Sequence, residues 1–346
     1  MYKFTQITIR KILIILWATL ISVTCEARTW QSGLDLSFTK GSHTMPYRLY
    51  LPANYTASKK YPVVIFMHGS GERGTDNDKQ VKFHISGLIN RTESDYPAIL
   101  IAPQIPSDSY WFYPDEDLTI DILEYVIRTY STDVRRIYCT GLSMGGFGTT
   151  YYANGHPHLF AAIAPMSGAY LSEAPPADHP LRTLPTWLFH GSSDTAVSVD
   201  YSREYYLFTT GLSTINYNQS FYGQTTAVAG NIRYTELAGQ GHVIWDPIYN
   251  HTNTDLYDWM FAKVRPLTGK VTAEIGLSGD TLTIRASSNM PFAAAVLRGA
   301  SDLESPVLDW QSVGTNLFDA NGKATFTIPK ASGITRYFYG VTSSQQ

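Results

Sequence analysis

The sequence predicts an α/β protein: a mostly parallel sheet covered by helices, followed by a small carboxyl-terminal all-β sandwich. Three observations carry that expectation. From Arg28 to about Arg265, apolar runs of strand length alternate with runs of helix length. After Pro266 the pattern changes to short period-two strands parted by turns. Between these regions' ends, a β-branched and aromatic run enters a helix through Gly141-Leu142-Ser143-Met144-Gly145, the form of a sharp strand-to-helix turn.

The amino terminus sets Lys3, Arg10 and Lys11 before the apolar run Ile12 to Val23. A short basic region followed by a short apolar core reads as a secretory signal, with cleavage after Ala27 and lipidation at Cys25 as the alternative. The run is shorter than the roughly 20 apolar residues of a membrane-spanning helix. Next, Val63 to Met67, Ala98 to Ala102, Ile137 to Thr140, Ala161 to Pro165 and Thr186 to Phe189 read as buried strands. Leu118 to Tyr130 places apolar residues at helical spacing and should pack on the sheet; Leu256 to Val264 reads as a final helix. Beyond Pro266, strands are expected at Val271 to Leu277, Thr281 to Ala286, Ala293 to Leu297, Ala324 to Ile328 and Tyr337 to Thr342, with turns at Ser278-Gly279-Asp280 and Asn321-Gly322. The expected division is a signal at 1–27, an α/β domain at 28–266 and a sandwich at 267–346.

Composition removes several classes of function. A net charge of -3 leaves no basic footprint for nucleic acid. No group of His, Cys and acidic residues has metal-ligand spacing, and no cofactor is expected. Cleavage of the signal leaves Cys139 as the single cysteine of the two, so no intrachain disulfide is available, and its strand position suits a buried apolar role.

The chemistry starts at Ser143. A serine on such a turn becomes a nucleophile if its neighbours lack side chains that would crowd the backbone, and Gly141 and Gly145 meet that need. The base and acid should follow in the order Ser, Asp or Glu, His. Of the nine histidines, only His242 and His251 lie beyond a suitable acid; His242, in a glycine-bracketed loop after Ile232 to Leu237, is favoured over His251 in a polar run. Asp194, just past the strand-like Thr186 to Phe189, is the favoured acid because reactive groups collect at the carboxyl ends of strands in open α/β sheets. Asp178 sits in a proline-rich loop, and Asp200 opens a helix, where capping explains it. An oxyanion hole needs two preorganised backbone N–H groups: that of Met144, and one from the loop after Tyr61 to Met67, with Ser70 favoured and Gly71 the alternative. His68 precedes that loop and is expected to pin it.

These stretches resemble secreted α/β-hydrolase esterases. His68-Gly69-Ser70-Gly71-Glu72-Arg73-Gly74, Ala102-Pro103-Gln104, Gly141 to Thr149, Phe189-His190-Gly191-Ser192-Ser193-Asp194 and Gly241-His242-Val243-Ile244-Trp245 are similar to the feruloyl and acetylxylan esterases of the polyhydroxybutyrate-depolymerase-like family. The likeness spans about Tyr47 to Val264 and implies a serine ester hydrolase acting through an acyl-enzyme. One departure stands out: where the family usually continues to Val-Pro after the acid, this chain reads Thr195-Ala196-Val197-Ser198-Val199.

Only about fifty residues separate Ser143 from Asp194, too few for a large lid, so an open site is expected. Gln104, Trp111 and Trp245 are candidate substrate contacts, and Tyr110 to Tyr113 and Tyr217 to Tyr222 are candidate aromatic walls suited to a flat acyl group or a sugar ring. The expected partner is an ester substrate, linked to polysaccharide, with polysaccharide or surface contact through the carboxyl-terminal module as a further role; Trp310 alone does not decide it. A serine peptidase, a polyester hydrolase and a binding protein with an idle hydrolase fold remain the alternatives.

Overall fold

The structure is a computed structural model that describes residues 33–344, except 83, 112–117, 251, 253, 267–270, 279–280, 289, 301–310 and 330–337. The expected signal, Cys25, His251, Trp310 and the junction at 267–270 lie outside the described residues.

Ten strands form one sheet: β1 (Leu34–Lys40), β2 (His43–Tyr50), β3 (Tyr61–Met67), β4 (Ile99–Pro103), β5 (Thr132–Leu142), β6 (Ala162–Met166), β7 (Thr186–Gly191), β8 (Tyr217–Phe221), β9 (Gln224–Ala229) and β10 (Ile232–Leu237). Their spatial order is β1-β2-β4-β3-β5-β6-β7-β10-β9-β8. The inner strands from β4 to β10 run parallel, and antiparallel pairs close both edges. Strand β3 is buried at every residue, as a parallel strand covered on both faces must be. Its side chains alternate between two cores: Val63, Ile65 and Met67 enter one, Val64 and Phe66 the other.

The helices are α1 (Lys79–Lys82), α2 (Ser86–Glu93), α3 (Leu118–Thr129), α4 (Met144–Gly155), α5 (Asp200–Thr210), α6 (Trp245–Tyr249) and α7 (Asp255–Phe261). Residues of α3, α4 and α5 share the core with Val63 and Ile65, and residues of α2, α6 and α7 share the other. In α3 the buried Leu118, Ile122, Leu123, Val126 and Ile127 make one stripe, while Glu124 and Arg128 pair on the outer side.

The carboxyl-terminal strands are β11 (Val271–Ser278), β12 (Thr281–Ser288), β13 (Ala294–Ala300), β14 (Gln311–Leu317), β15 (Lys323–Pro329) and β16 (Phe338–Ser344). They form two three-stranded antiparallel sheets, β11-β12-β15 and β14-β13-β16. Ile284, Phe292, Leu297, Phe318 and Phe326 are buried there. Arg265 joins this region to the larger sheet, donating from Nη2 to the carbonyls of Val134 and Pro291. Burial pushes its guanidinium down to about 10.

The packing at the end of β5 leaves no room for side chains. A Cβ on Gly145 would lie 2.0 Å from the Met67 carbonyl oxygen, and one on Gly141 2.4 Å from that of Gly145. Backbone cannot yield as a flexible side chain does, so Gly145→Ala should destabilise the protein by about 3 kcal/mol or more, or prevent folding. Gly155→Ala, on the same helix with nothing within 4 Å of the added methyl, should lie within about 1 kcal/mol of the parent. Urea unfolding of the two variants makes the comparison.

Candidate active site

Four adjacent strands end in loops that are tied to one another. The Ser143 N–H donates to the Met166 carbonyl at the end of β6, and the Ser167 N–H to that of Phe189 in β7. The loops after β7 and β10 are joined twice, Ser192 N–H to Leu237 and Ser193 N–H to Gln240. The Ser167 hydroxyl donates to the His242 carbonyl at 2.9 Å. These bonds bring three side chains distant in sequence to one edge.

Ser143 sits between β5 and α4 at φ 54°, ψ -119°. That left-handed backbone in a residue other than glycine costs on the order of 1–3 kcal/mol and persists only where the surroundings enforce it. Its Oγ lies 2.9 Å from His242 Nε2, and His242 Nδ1 lies 2.7 Å from Asp194 Oδ2. The carboxylate fixes the tautomer: Nδ1–H donates to Asp194, so Nε2 is free to accept from the serine hydroxyl.

The Asp194 side chain is fully buried. Burial alone would raise its pKa, but N–H donors from Val197, His242 and Ala196 outweigh it and hold the carboxyl below its ordinary value. Oδ1 accepts from the Ala196 and Val197 N–H groups at 2.8 and 2.9 Å. The loop that departs from the Val-Pro pattern therefore still supplies both donors.

A fourth residue joins this set that the sequence had shown only as part of a motif. His190, the penultimate residue of β7, is buried, and its Nε2 lies 3.2 Å from Asp194 Oδ2 and 3.1 Å from the Val197 carbonyl. Two acceptors at Nε2 require a proton there, so Nδ1 accepts from the Ser202 hydroxyl at 2.7 Å. Burial lowers the His190 pKa, so the ring is a neutral donor to the carboxylate. The available signal was its spacing: a histidine four residues before the acid, on a strand buried throughout.

The other expected residues divide. Met144 opens α4 and Ser70 opens a short 3-10 turn, Ser70–Glu72; among the described residues no loop hydrogen bond uses either N–H. His68 is buried, donating from Nδ1 to the Gly69 carbonyl and accepting at Nε2 from the Ile105 N–H, which pins the loop. Asp200 is exposed and paired with Arg203, and Asp178 is exposed in its loop.

Three expectations of substrate contact are corrected. Gln104 is completely buried, with Oε1 accepting from the Asn77 N–H and Nε2 donating to the Glu72 carbonyl and Asp76, so its amide is spent on holding the loops. Trp111 is buried against Gly148 and donates to the His68 carbonyl. Trp245 is buried edge-on to the His242 ring, 5.4 Å between centroids, where it packs against the imidazole. Of the aromatic walls, Tyr110 is exposed, and Phe112 and Tyr113 lie outside the described residues. Tyr217 to Phe221 forms the edge strand β8, where Tyr217 bonds to Glu236 and Phe221 packs on Trp187. A cavity of about 610 Å³ opens at the opposite ends of the strands, between Ala161, Pro185, Asn231 and Arg265. Among the described residues no group of three or more His, Cys, Asp or Glu could hold a metal ion.

A sheet of this order, with a strained serine, an acid and a histidine following β5, β7 and β10, defines an α/β-hydrolase. Within that class the chain belongs to the family described as "Putative esterase", which matches residues 40–226. That span includes Ser143 and Asp194 and ends before His242. The chain is 26% identical over 192 residues to a poly(3-hydroxyoctanoate) depolymerase of Pseudomonas fluorescens, covering 47% of this chain and 68% of that protein. It is 28% identical over 168 residues to feruloyl esterase B of Talaromyces funiculosus, covering 45% and 44%. Among solved structures it is similar to a thermostable esterase, with a TM-score of 0.57 and 30% identity over 68% of this chain and 64% of that one. The chain thus spans less than half of the feruloyl esterase and about two thirds of the other two.

Two outcomes follow from the buried imidazoles. Burial pushes His68 down to about 4, so in mild acid the unfolded chain takes up a proton that the native state refuses. Stability should therefore fall as pH drops from about 6.5 towards 4, by up to about 3 kcal/mol from this group, with His190 adding in the same direction. In His68→Asn the gap to the parent should narrow over that range in urea unfolding. For His190→Ala, kcat on p-nitrophenyl acetate should fall roughly tenfold to a hundredfold with KM little changed, because Asp194 loses a donor and Ser202 its acceptor; an unchanged kcat would remove His190 from the working set.

Proposed function

We propose that this protein is an exported serine carboxylic ester hydrolase that releases acyl groups, feruloyl or acetyl, from plant polysaccharides. The observation that carries the chemistry is the continuous run of hydrogen bonds from Asp194 through His242 to the strained Ser143. Membership of an esterase family supports the reaction type, and the feruloyl esterase relative supports the acyl group. Export rests on the basic and apolar amino terminus. No helix among the described residues is long and apolar enough to cross a membrane.

In this mechanism His242 Nε2 takes the proton from Ser143 Oγ as the oxygen adds to the ester carbonyl carbon. The Met144 and Ser70 N–H groups stabilise the resulting oxyanion. The carbon–oxygen bond to the alcohol then breaks, and the alcohol leaves with the proton from Nε2. Water repeats the sequence on the acyl-enzyme, releasing the carboxylic acid and restoring the serine. Asp194 holds the imidazole and offsets the positive charge it carries between the two transfers, which requires that the acid stay ionised.

The depolymerase relative favours a second reading of the same chemistry, cleavage of a polyester. Release of acid from p-nitrophenyl acetate, methyl ferulate, acetylated xylan and poly(3-hydroxyoctanoate) separates them. Ser143→Ala should lower turnover by roughly four orders of magnitude or more with an unchanged melting temperature, and Asp194→Asn by a similar factor. Retained activity in Ser143→Ala would end the proposal.

A further inference from the structure

Another cavity, of about 550 Å³, is lined by Phe147, Tyr151 and Asn154 of α4, Tyr170, Leu171 and Ser172 after β6, and Tyr201 of α5. Each wall grows from a segment that holds the site. Phe147 stands one helical turn beyond Ser143, and a helical side chain leans back over the turn before it. The loop that carries Tyr170 begins with Ser167, bonded to the His242 carbonyl. It then passes Gly168, packed so closely on the nucleophile that a Cβ there would lie 2.3 Å from the Ser143 carbonyl oxygen and 3.2 Å from the Phe147 ring. Tyr201 follows the Asp194 loop at the start of α5.

The lining is aromatic, open and uncharged. Tyr151, Tyr170 and Tyr201 are 39%, 51% and 40% exposed. Tyr201 meets Phe147 edge-on at 5.7 Å and Tyr170 edge-on at 5.9 Å, so the rings brace one another while much of each stays in solvent. Grouped exposed rings on a soluble protein mark an interaction site. These are not the aromatic residues that the sequence suggested as walls.

We propose that this cleft is the subsite for the alcohol half of the substrate and takes neutral pyranose rings of a carbohydrate ester. The volume lies in the range of small-ligand sites and far exceeds an acetyl group. A lining without charge suits a neutral ligand. Half-exposed tyrosines stack on the apolar face of a sugar ring, and the Asn154 amide and Ser172 hydroxyl can bond to its hydroxyls. An aromatic acyl ring would instead call for an enclosed apolar slot. The proposal rests on the ester-hydrolase reading above and adds which half of the ester this surface holds.

The test separates the cleft from the chemistry. Xylohexaose, which has no ester, is titrated by calorimetry into full-length Ser143→Ala, alone and combined with Tyr170→Ala, Tyr201→Ala or Tyr170→Phe, with thermal melts confirming that each is folded. Each alanine should weaken binding about fivefold or more, and Tyr170→Phe, which keeps the ring, by less than about twofold. In the Ser143 background, the alanines should lower kcat/KM for acetylated xylo-oligosaccharides at least fivefold more than for p-nitrophenyl acetate, chiefly through KM. No xylohexaose binding, equal binding by all variants, or a loss confined to methyl ferulate would overturn the subsite. A parent enzyme that cleaves no ester would remove the hydrolase reading, and the xylohexaose titration would still decide the cleft.

Discussion

A carboxylate buried at the end of a strand is the constraint on which this site depends. Taking an ionised carboxyl out of water is costly, and Asp194 is kept charged only because four N–H groups converge on it: two from its own loop, one from His190 and one from His242. The bond that satisfies the acid is the same bond that orients the imidazole. Stability and geometry are therefore coupled at this point, since the loop cannot relax without leaving a buried charge short of donors. The ties between the loops after β5, β6, β7 and β10 keep His242 within reach of both its neighbours.

How much of this could be read from the sequence depended on whether a residue's role is set locally. Strand β3 announces itself because burial on both faces demands an unbroken apolar run, and the turn at Ser143 because crowding demands Gly141 and Gly145. Edge strands carry a weaker signal: β1 is partly exposed along its length, β8 is largely exposed, and β14, missed in the sequence, reads as a polar run with Gly314 inside it. The order of Ser143, Asp194 and His242 along the chain narrowed the candidates, and the strands and loops that flank them made the choice. Gln104, Trp111 and Trp245 went the other way. Large polar-tipped side chains near a site serve equally well as ligand contacts or as props for loops, and only burial in three dimensions tells these apart. His190 was hidden for the same reason, since its partners come from its own loop and from Ser202 twelve residues on.

The surroundings of the site bear on what it can accept. The short connection from Ser143 to Asp194 is filled by α4, β6, β7 and their loops, leaving no length for a large cover. Three of the exposed tyrosines, Tyr151, Tyr170 and Tyr201, are grouped where α4, α5 and the loop after β6 meet. Cys139 lies on β5 four residues before the serine, but burial pushes its thiol up to about 12, which keeps it out of the chemistry.

Whether one serine hydroxyl in this chain is made nucleophilic by its histidine is read out by reaction with a fluorophosphonate followed by peptide mass spectrometry. A single adduct on Ser143, lost in His242→Ala, is expected. An unmodified protein, or an adduct on any other residue, would contradict it.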